Sequence, residues 1–373
     1  MKFIVENEAF SRALALVKNC VKASTIPILG HIAVEARGSE VIVRATNLER
    51  EVEAIVPAEV EQDGGAALPG DVLVGLVKRL AKGGQCQIDW KDGRAKLVSG
   101  ASKYDLRTLE LTDFPIRKKL ADELTTFSMA PEALRSILHT VSYAADIKHP
   151  KVYAQGVCLH VAGQRLVAVA TDHHRLARRF VDLPKGAAGM PSVVIPVEGA
   201  RAIVDLLGSA EGDVELAVSP ALVEVRLPGV RLTTALLDTV FPNYEQIIPK
   251  SEDVAALVRP YVLAEAVERA MVVYLGASDP HKKQPSIRVA TGDGNIALEA
   301  GSAGSESARE SVEAETNGHA AKFNLTAAYL SEMLKVWPES AVVAVTQEAQ
   351  GSPVRFTAEA CPEQLHLVMP VSF

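Results

Sequence analysis

The sequence predicts an α+β fold of three homologous domains, each of them a doubled strand-helix-strands unit. A chain of 373 residues is too long for one hydrophobic core and fits two or three domains of ordinary size. Hydrophobic residues followed by a turn residue recur at intervals of 127 and 128 positions, at Leu68-Pro69, Ile195-Pro196 and Phe323-Asn324. A second set gives the same two intervals, at Phe114-Pro115, Phe241-Pro242 and Met369-Pro370. Two independent sets with one period indicate a threefold internal repeat.

The period divides the chain into domain 1 at 1–125, domain 2 at 126–252 and domain 3 at 253–373. Charged residues lie near both boundaries, at 121–126 and 250–255, where we expect the linkers. Repeats of this size do not stack as a solenoid, whose units have about 20–45 residues. They can join head to tail in an arc, and such interfaces close into a ring when the rotation per domain divides a full turn.

Domain 1 begins with a predicted strand at 3–5 and a helix at 7–22. Asn7 is placed to cap this helix, and Glu8 falls in its first turn, where the helix dipole favours an acidic side chain. Apolar residues recur at helical spacing, at Phe10, Ala13, Leu14 and Val17. The later elements of the domain are a second helix at 71–81 and strands at 41–46, 51–56, 86–90, 95–99 and 103–109.

The same order recurs in the other two domains. In domain 2, Pro131 fits the first turn of a helix, where its missing N–H costs nothing. The predicted elements of domain 2 are helices at 131–143 and 198–207, a strand that begins at Phe127, and strands at 156–161, 165–171, 213–218, 222–227 and 230–237. Those of domain 3 are helices at 263–275 and 326–337 and strands at 256–258, 287–291 and 296–300, followed by closing strands that extend to Val371.

Composition excludes several classes of protein. Hydrophobic residues make up 48% of the chain and charged residues 23%, which is globular and excludes a disordered chain. No apolar run reaches the roughly 18 residues that a bilayer span needs, so we expect a cytoplasmic protein without a membrane partner. The four cysteines form no Cys-x-x-Cys pair, which argues against zinc and disulfides: Cys20, Cys86, Cys158 and Cys361. A net charge of −7 would ordinarily argue against a nucleic-acid partner. It is an average over the whole chain, however, and the positions of the basic residues matter more.

The stretch from Ala170 to Ala177, Ala-Thr-Asp-His-His-Arg-Leu-Ala, is the strongest candidate site. It closes an apolar strand and places Asp172, His173 and His174 in a turn, where a rigid strand can present them. An ordinary solvated turn is the other interpretation. A related pattern in domain 1, Val43-Arg44-Ala45-Thr46-Asn47-Leu48-Glu49, lies 125 positions earlier and supports the repeat.

Asp-His-His is also a signature of metal-dependent phosphoesterases, in which carboxylates and imidazoles hold two metal ions that activate water. Such a site needs more than three ligands. The sequence has no Asp-x-Asp, and its other histidines are scattered singly, so we expect no metal, no cofactor and no catalytic residue.

Several short motifs lie in one order along the chain: Met1-Lys2-Phe3, Ile26-Pro27-Ile28-Leu29-Gly30, the stretch from Ala170 to Ala177, Phe241-Pro242-Asn243-Tyr244, Ile248-Pro249-Lys250 and Val368-Met369-Pro370-Val371. In these motifs and their order, the whole chain resembles the bacterial DNA polymerase III beta subunits, the beta sliding clamps. The resemblance implies three clamp-type domains forming half of a closed homodimeric ring, with helices inside and sheets outside. Such a ring is a processivity factor that encircles double-stranded DNA, slides without reading sequence and catalyses nothing.

Basic residues on the predicted helices are the candidates for contact with DNA. Phosphate contacts are independent of sequence, so a few weak ones can orient a ring that its topology retains. The candidates are Lys18, Lys22, Lys78, Arg79, Lys82, Arg135 and Arg201 on helices, with Lys148, Lys151 and Tyr153 in a loop of domain 2. Solvated faces of amphipathic helices are the alternative interpretation. Domain 3 has Arg269 and Lys335 against Glu265, Glu268 and Glu332, so we expect it to attract DNA least.

The resemblance also implies a cleft that takes short linear peptides of partner proteins. Those partners are the polymerase III alpha subunit, clamp-loader subunits, other polymerases and repair proteins. The matching positions are Thr171, His174, Arg175, Leu176, Pro242, Ile247, Val354, Leu367, Met369, Pro370 and Val371. They are largely apolar with a few polar groups, as in a peptide-binding cleft, although Leu367 and Met369 could equally belong to an ordinary core.

By the same resemblance, the dimer contact pairs Tyr104 of domain 1 with Val272 and Val273 of domain 3. This chain departs from the family pattern at three places. His173 stands where the family often has Gly, so a positive φ there would fall on a residue that adopts it less freely. Gln246 occupies a position that is often basic, and Ser372-Phe373 replaces a basic-aliphatic end.

Overall fold

The computed structural model describes residues 1–21, 25–115, 124–208, 210–276, 285–301, 306–318 and 320–371, with side chains at 274–276 left undescribed. The elements up to residue 110 are β1 (Lys2–Glu6), α1 (Asn7–Lys18), β2 (His31–Arg37), β3 (Glu40–Thr46), β4 (Arg50–Pro57), β5 (Glu59–Gln62), β6 (Gly64–Pro69), α2 (Gly70–Val77), β7 (Gln85–Lys91), β8 (Arg94–Ser99), β9 (Ser102–Arg107) and β10 (Leu109–Glu110).

Strands and helices follow in the same alternation from residue 125 to residue 258. They are β11 (Thr125–Met129), α3 (Pro131–Ser142), β12 (Gly156–Ala162), β13 (Arg165–Thr171), β14 (Arg175–Asp182), β15 (Val193–Pro196), α4 (Val197–Leu207), β16 (Val214–Val218), β17 (Leu222–Leu227), β18 (Val230–Ala235) and β19 (Val254–Val258).

The last part of the chain has the longest helix described here. Its elements are α5 (Pro260–Gly276), β20 (Ser286–Gly292), β21 (Asn295–Gly301), β22 (Ser307–Glu313), β23 (Glu315–Thr316), β24 (Lys322–Thr326), α6 (Ala327–Leu334), β25 (Val343–Gln347), β26 (Val354–Thr357) and β27 (Gln364–Val368).

The chain forms two compact units. Unit 1 comprises 1–132, 184–191 and 202–236, and unit 2 comprises 133–183, 192–201 and 237–373. Unit 1 contains the first large sheet, in the order β10-β6-β2-β3-β4-β18-β17-β16-β11, and a smaller sheet, β5-β1-β7-β8-β9. Unit 2 contains the second large sheet, β15-β12-β13-β14-β27-β26-β25-β19-β23, and a smaller sheet, β22-β21-β20-β24.

Each large sheet is completed where two strands that are distant in sequence pair. In the first seam, β4 pairs antiparallel with β18, with Val52 opposite Leu232. In the second seam, β14 pairs antiparallel with β27, with Leu176 opposite Leu367. Both seams therefore bind an early segment of the chain to a late one by main-chain hydrogen bonds.

Two turns of identical design precede the early strands of the seams: turn 46–50 before β4 and turn 171–175 before β14. In each turn a threonine hydroxyl donates to the carbonyl oxygen of the arginine four residues later, from Thr46 to Arg50 at 2.8 Å and from Thr171 to Arg175 at 2.6 Å. The third residue of each has a positive φ, 75° for Leu48 and 70° for His173. His173 thus adopts the conformation that glycine favours, as the sequence comparison suggested.

The helix ends differ from expectation at two places. Helix α1 ends at Lys18 rather than near residue 22, and Lys22 lies outside the described residues. Asn7 does not cap it, because Asn7 is its first residue and Glu6 occupies the cap position. The Asn7 side-chain amide donates to the carbonyl oxygen of Ala81 at 2.9 Å. Helix α2 ends at Val77 rather than residue 81, since Arg79 and Leu80 form i to i−3 hydrogen bonds that tighten the chain into a turn.

The sequence also missed several strands, including β2, β6, β14 and β22. Of these, β14 matters most, because the predicted polar turn at 171–175 is followed at once by a second strand of the second large sheet. Among the described residues, no helix is long and apolar enough to cross a bilayer.

Candidate functional site

Unit 2 contains a groove beside turn 171–175, which we call the partner groove. Its volume is about 540 Å³, and its lining residues come from five separate parts of the chain: Tyr153, Thr171, His173, Pro242, Asn243, Tyr244, Gln246, Ile247, Pro353 and Met369. Ile247 is 50% exposed on its rim, while Tyr244 is buried. The groove is thus a mainly apolar concave surface with a few polar groups, which suits an apolar side chain of a peptide.

Aromatic rings form one wall of the partner groove. The Tyr153 ring meets Phe241 edge-on at 5.9 Å, and Phe241 meets Tyr244 in the same way at 6.3 Å. Beneath them, a cluster of buried apolar residues supports the wall, with Leu176 and Leu367 among its members. The wall is therefore fixed by packing before any partner arrives.

His173 closes the end of this wall. Its imidazole Nε2 lies 2.6 Å from the Tyr153 hydroxyl, and its ring stacks on His149 with centroids 5.0 Å apart. Burial and then the neighbouring His149 and His174 lower the pKa of His173, so the neutral imidazole is favoured. A residue that sequence comparison marked as a departure is therefore a structural part of the groove.

Asp172 and Arg175 hold turn 171–175 from inside. Asp172 Oδ1 accepts hydrogen bonds from the backbone N–H groups of His174 and Arg175, both at 3.0 Å. Asp172 Oδ2 accepts from Arg175 Nε at 2.9 Å, and both side chains are buried. All of these contacts are those of an Asx turn closed by an ion pair, so Asp172 acts as a structural group.

Arg175 does not line the partner groove but lies between aromatic rings. Its guanidinium carbon is 4.4 Å from the centre of the Tyr329 ring and 5.2 Å from that of Tyr143, and its Nη1 donates to Glu332. His174 also stacks on Tyr329, with centroids 6.0 Å apart. These two predicted groove residues thus support the turn behind the groove.

The structure brings four of the predicted groove residues to the groove surface: Thr171, Pro242, Ile247 and Met369. Leu176, Leu367 and Val354 are buried below it, with at most 2% of each residue exposed. Pro370 and Val371 line a neighbouring groove of about 450 Å³ with Arg288, Lys322, Phe323, Asn324, Gln347, Gln350 and Gly351. The end of the chain separates the two grooves, where the Met369 N–H donates to the His174 carbonyl at 2.7 Å.

Sequence reasoning missed some lining residues of the partner groove. Asn243 and Tyr244 stand in a quoted motif and Gln246 was marked as a departure from the family pattern, but in this region only Pro242 and Ile247 were assigned to the groove. Pro353 lies next to Val354, and on a strand consecutive side chains point to opposite faces. The assignment of Val354 therefore selected the buried face, while the neighbouring residue lines the groove.

A second groove, of about 570 Å³, runs between α1 and α2 in unit 1 and is called the cationic groove. It gathers Lys18, Lys78 and Lys82 with Arg12, which the sequence analysis did not single out. Helical spacing could have found Arg12, because Glu8, Arg12 and Ala15 lie on one face of α1. Glu8 also lines this groove and offsets one of its charges.

The other predicted cations are placed differently. Arg79 donates back to the Gly75 carbonyl at 2.7 Å, while Lys148, Lys151 and Arg201 are exposed and Arg135 is half-buried on α3. In the C-terminal region, Arg269 pairs with Glu310 at 2.8 Å and Lys335 with Glu268 at 2.6 Å. Each of the two predicted cations of domain 3 is thus paired with a glutamate.

The predicted dimer residues lie at surfaces. Tyr104 is half-buried on β9, which is an edge strand of its sheet. Val272 is 72% exposed and Val273 is 36% exposed near the end of α5. Exposed apolar residues of this kind mark a surface that another molecule can cover.

Three family models match the chain in succession. The N-terminal domain of the DNA polymerase III beta subunit matches residues 1–118, its central domain residues 128–243 and its C-terminal domain residues 245–372. A beta sliding clamp of Caulobacter vibrioides is 28% identical over 341 residues, covering 89% of this chain and 90% of that protein. That of Pseudomonas aeruginosa is 26% identical over 373 residues, covering 100% of both.

Solved structures agree with these matches. The crystal structure of a sliding clamp from Bartonella birtlesii bound to griselimycin has a TM-score of 0.92 to this chain at 25% identity, with 100% of both chains covered. The likeness thus extends over the three regions that the internal repeat had separated.

Proposed function

Because the chain belongs to the family of DNA polymerase III beta subunits, the bacterial sliding clamps, we propose that it encircles duplex DNA as a homodimeric ring and tethers replication proteins through the partner groove. The observation that carries this proposal is the succession of three matching family domains over almost the whole chain. The protein is a processivity factor and not an enzyme. Its place of action is the cytoplasm, where the bacterial chromosome is copied.

The partners of the groove are short linear peptides of polymerases, the clamp loader and repair proteins. An apolar anchor of such a peptide fits between Ile247, Pro242 and Met369, and burying one large apolar side chain contributes about 1.5–3 kcal/mol. Ordering of the free peptide offsets part of this gain, so micromolar affinity, about −8 kcal/mol, is expected for an isolated peptide. The neighbouring groove beside Pro370 and Val371 offers room for the rest of the peptide.

The Asp-His-His alternative is disfavoured by what these side chains do. Asp172 is committed to two backbone N–H groups and to Arg175. His173 contacts Tyr153, and His174 contacts Tyr329. Three side chains that point to three different partners do not converge on a metal ion.

Sheet edges support the proposed dimer. The two smaller sheets take no part in the seams, and β9 and β22 are each an edge strand of one of them, with β5 and β24 at the opposite edges. The exposed edge of a sheet pairs readily with another strand. Lys103 and Arg107 on β9 are opposite in charge to Glu313 on β22, so β9 of one subunit is proposed to pair with β22 of the other.

The cationic groove supports contact with DNA. Arg12, Lys18, Lys78 and Lys82 offer charges to phosphates, and phosphate contacts hold DNA without reading its sequence. The proposed domains remain 1–125, 126–252 and 253–373. Each domain consists of two strand-helix-strands units, and the second unit begins near Leu68-Pro69, Ile195-Pro196 and Phe323-Asn324, respectively.

Peptide binding tests the partner groove. Met369→Ala and Ile247→Asp are expected to weaken the binding of a labelled polymerase C-terminal peptide at least tenfold in fluorescence polarisation. The charge is introduced at Ile247, which is 50% exposed, and not at Leu176, which is 1% exposed and where a charge would unfold the protein. Val240→Asp is the matched control, since Val240 is 88% exposed and does not line the groove. Full binding by Ile247→Asp would place the partners elsewhere.

Retention on DNA tests the ring. A closed ring loaded onto nicked circular DNA is expected to stay bound in high salt and to leave when the DNA is linearised, because topology rather than affinity retains it. Val273→Asp is expected to give a monomer by light scattering and to lose retention, while Val342→Asp, also exposed, leaves both unchanged. A dimeric Val273→Asp protein would refute the assigned contact, and equal retention on linear DNA would refute the ring.

A further inference from the structure

A cavity of about 200 Å³ lies behind turn 46–50 in unit 1, and we call it the Arg50 cavity. Helices α1 and α4 and strands β4 and β18 line it. Its floor is buried and consists of Cys20, Arg50, Val52, Leu206 and Leu232. Its mouth is open to solvent between Ala15, Asn19 and Asp205, which are exposed. A small molecule can therefore enter it.

The repeat supplies a template for what fits this cavity. Turn 171–175 has the same hydrogen bonds as turn 46–50, and its arginine is buried to the same degree, at 8% exposure for Arg175 and 7% for Arg50. In unit 2 the space beside Arg175 is filled by the rings of Tyr143 and Tyr329. In unit 1 no aromatic ring is among the residues that line the Arg50 cavity.

The difference has a clear origin in the sequence. Tyr143 is the first residue after the twelve-residue helix α3, and Asn19 is the first residue after the twelve-residue helix α1. The repeat thus places an asparagine where its second copy has a tyrosine. On the opposite side, α6 presents Tyr329 to Arg175, whereas α4 presents Ala202 and Asp205 to the cavity.

We propose that the Arg50 cavity is a binding site for a small monocyclic phenol, whose ring lies against Arg50 as Tyr329 lies against Arg175. Stacking uses the face of the guanidinium and does not compete with hydrogen bonding by its N–H groups, which lie in the guanidinium plane. The volume suffices, since an apolar cavity of about 150 Å³ holds benzene. Asn19 and Asp205 at the mouth accept a hydrogen bond from the phenol hydroxyl, and Asp205 disfavours an aromatic acid of the same size.

Methyl NMR of the full-length protein with p-cresol tests the site. Saturable shifts are expected for the methyl groups of Val52, Leu206 and Leu232, which line the cavity. Cyclohexanol, of similar size but without a π-system, is expected to bind at least about threefold more weakly, because it cannot stack on a cation. Absence of saturable shifts up to the solubility of p-cresol, or shifts confined to other methyl groups, would overturn the site. Equal affinity for cyclohexanol would overturn the stacking.

Variants that fill the cavity complete the test. Asn19→Tyr restores the residue type of the second copy and is expected to abolish the p-cresol shifts. Ala202→Phe fills the cavity from α4 and gives the same result if Asn19→Tyr does not fold. Lys185→Tyr adds an equal ring at an exposed position of unit 1 and leaves p-cresol binding unchanged. Undiminished binding in both filled variants would show that the phenol does not occupy the Arg50 cavity.

Discussion

The two seams have the same strand pairing but are held together by different interactions. Across the first seam, Arg231 on β18 pairs with Glu53 on β4 at 3.1 Å. Further ion pairs extend this row over the face of the first large sheet: Glu35 with Arg44, Arg44 with Glu53, Arg231 with Glu224, and Arg226 with Glu224 and Glu215. Arg226 and Arg231 are more than 40% exposed while Glu53 and Glu224 are mostly buried, so water and salt screen these pairs from the arginine side.

The second seam carries its polar groups inside. His366 on β27 is fully buried, and its Nε2 accepts a hydrogen bond from the Gln364 amide at 2.8 Å. The Gln364 orientation is fixed because its Oε1 accepts from Arg179 at 2.7 Å. His366 Nδ1 therefore carries the proton and donates to the Tyr143 hydroxyl at 2.7 Å.

The difference teaches that one backbone arrangement can be made sensitive to two different solution conditions. Exposed ion pairs weaken with salt, whereas a buried neutral histidine weakens the fold when it must take up a proton.

The chain has two tryptophans, and each reports one unit: Trp90 lies in unit 1 and Trp337 in unit 2, against His366. Replacing either by Phe lets fluorescence follow the other unit alone.

The largest expected effect is that of Arg175→Ala on unit 2. Removing Arg175 leaves the buried carboxylate of Asp172 without its charged partner, which costs about 3–5 kcal/mol of unfolding free energy. Urea unfolding in the Trp90→Phe background measures it. Arg50→Ala, measured in the Trp337→Phe background, is expected to cost less, because Asn47 stands where turn 171–175 has Asp172. An equal loss of unfolding free energy in Arg175→Ala and Arg50→Ala would show that the Asp172 carboxylate does not distinguish the two turns.

Acidification is expected to weaken unit 2 through His366. Burial, and then Arg179, lowers the pKa of His366 to about 3, from the ordinary value of 6.5. Between these two values the unfolded chain binds more protons, so stability is lost as the pH falls below 6.5, by about 1.4 kcal/mol per pH unit. His366→Gln is expected to remove most of this slope between pH 6.5 and 5, where carboxylates still contribute little. His160 and His173, whose pKa values burial also lowers, account for the remainder. An unchanged slope in the variant would assign the acid sensitivity to other groups.

The smallest expected effect is that of Arg231→Gln on unit 1. Because Arg231 is 43% exposed, we expect a loss of about 0.2–1 kcal/mol at low salt and almost none in about 1 M NaCl. Urea unfolding in the Trp337→Phe background at both salt concentrations measures it. A loss that persists at high salt would mean that the row of ion pairs acts through packing.

The sequence predicted the repeat and most helices, because both depend on spacing along the chain. It overextended α1 and α2, because their last predicted residues, at 19–22 and 78–81, mix polar and apolar types that fit the end of a helix as well as a turn. It also placed Arg175 in the groove, since the motif identifies the residue but not the direction of its side chain. Glu332 lies 157 positions away and was assigned to a charged helix face, so its contact with Arg175 could not be derived from local pattern.

Residue-level prediction of the groove was limited for the same reason. Thr171, Pro242, Ile247 and Met369 come from motifs and reach the surface. Leu176 and Leu367 come from equally strong motifs but lie in the strands of the second seam, where alternate residues face inward. Whether a strand residue faces the groove or the core depends on the register of pairing, which a single sequence does not give.

The seams also set an order in time for a chain that leaves the ribosome from its N-terminus. Strand β18 follows β4 by about 170 residues, which take roughly 10–35 s to synthesise at about 5–20 residues per second. During this interval β4 is an unpaired edge that other nascent chains could join. Arg50, Glu51 and Glu53 interrupt its apolar residues, and β14 likewise has four charged residues while it waits for β27. The strands that arrive last, β18 and β27, have between them one charged residue, Arg231, so the waiting strands are the ones protected against aggregation.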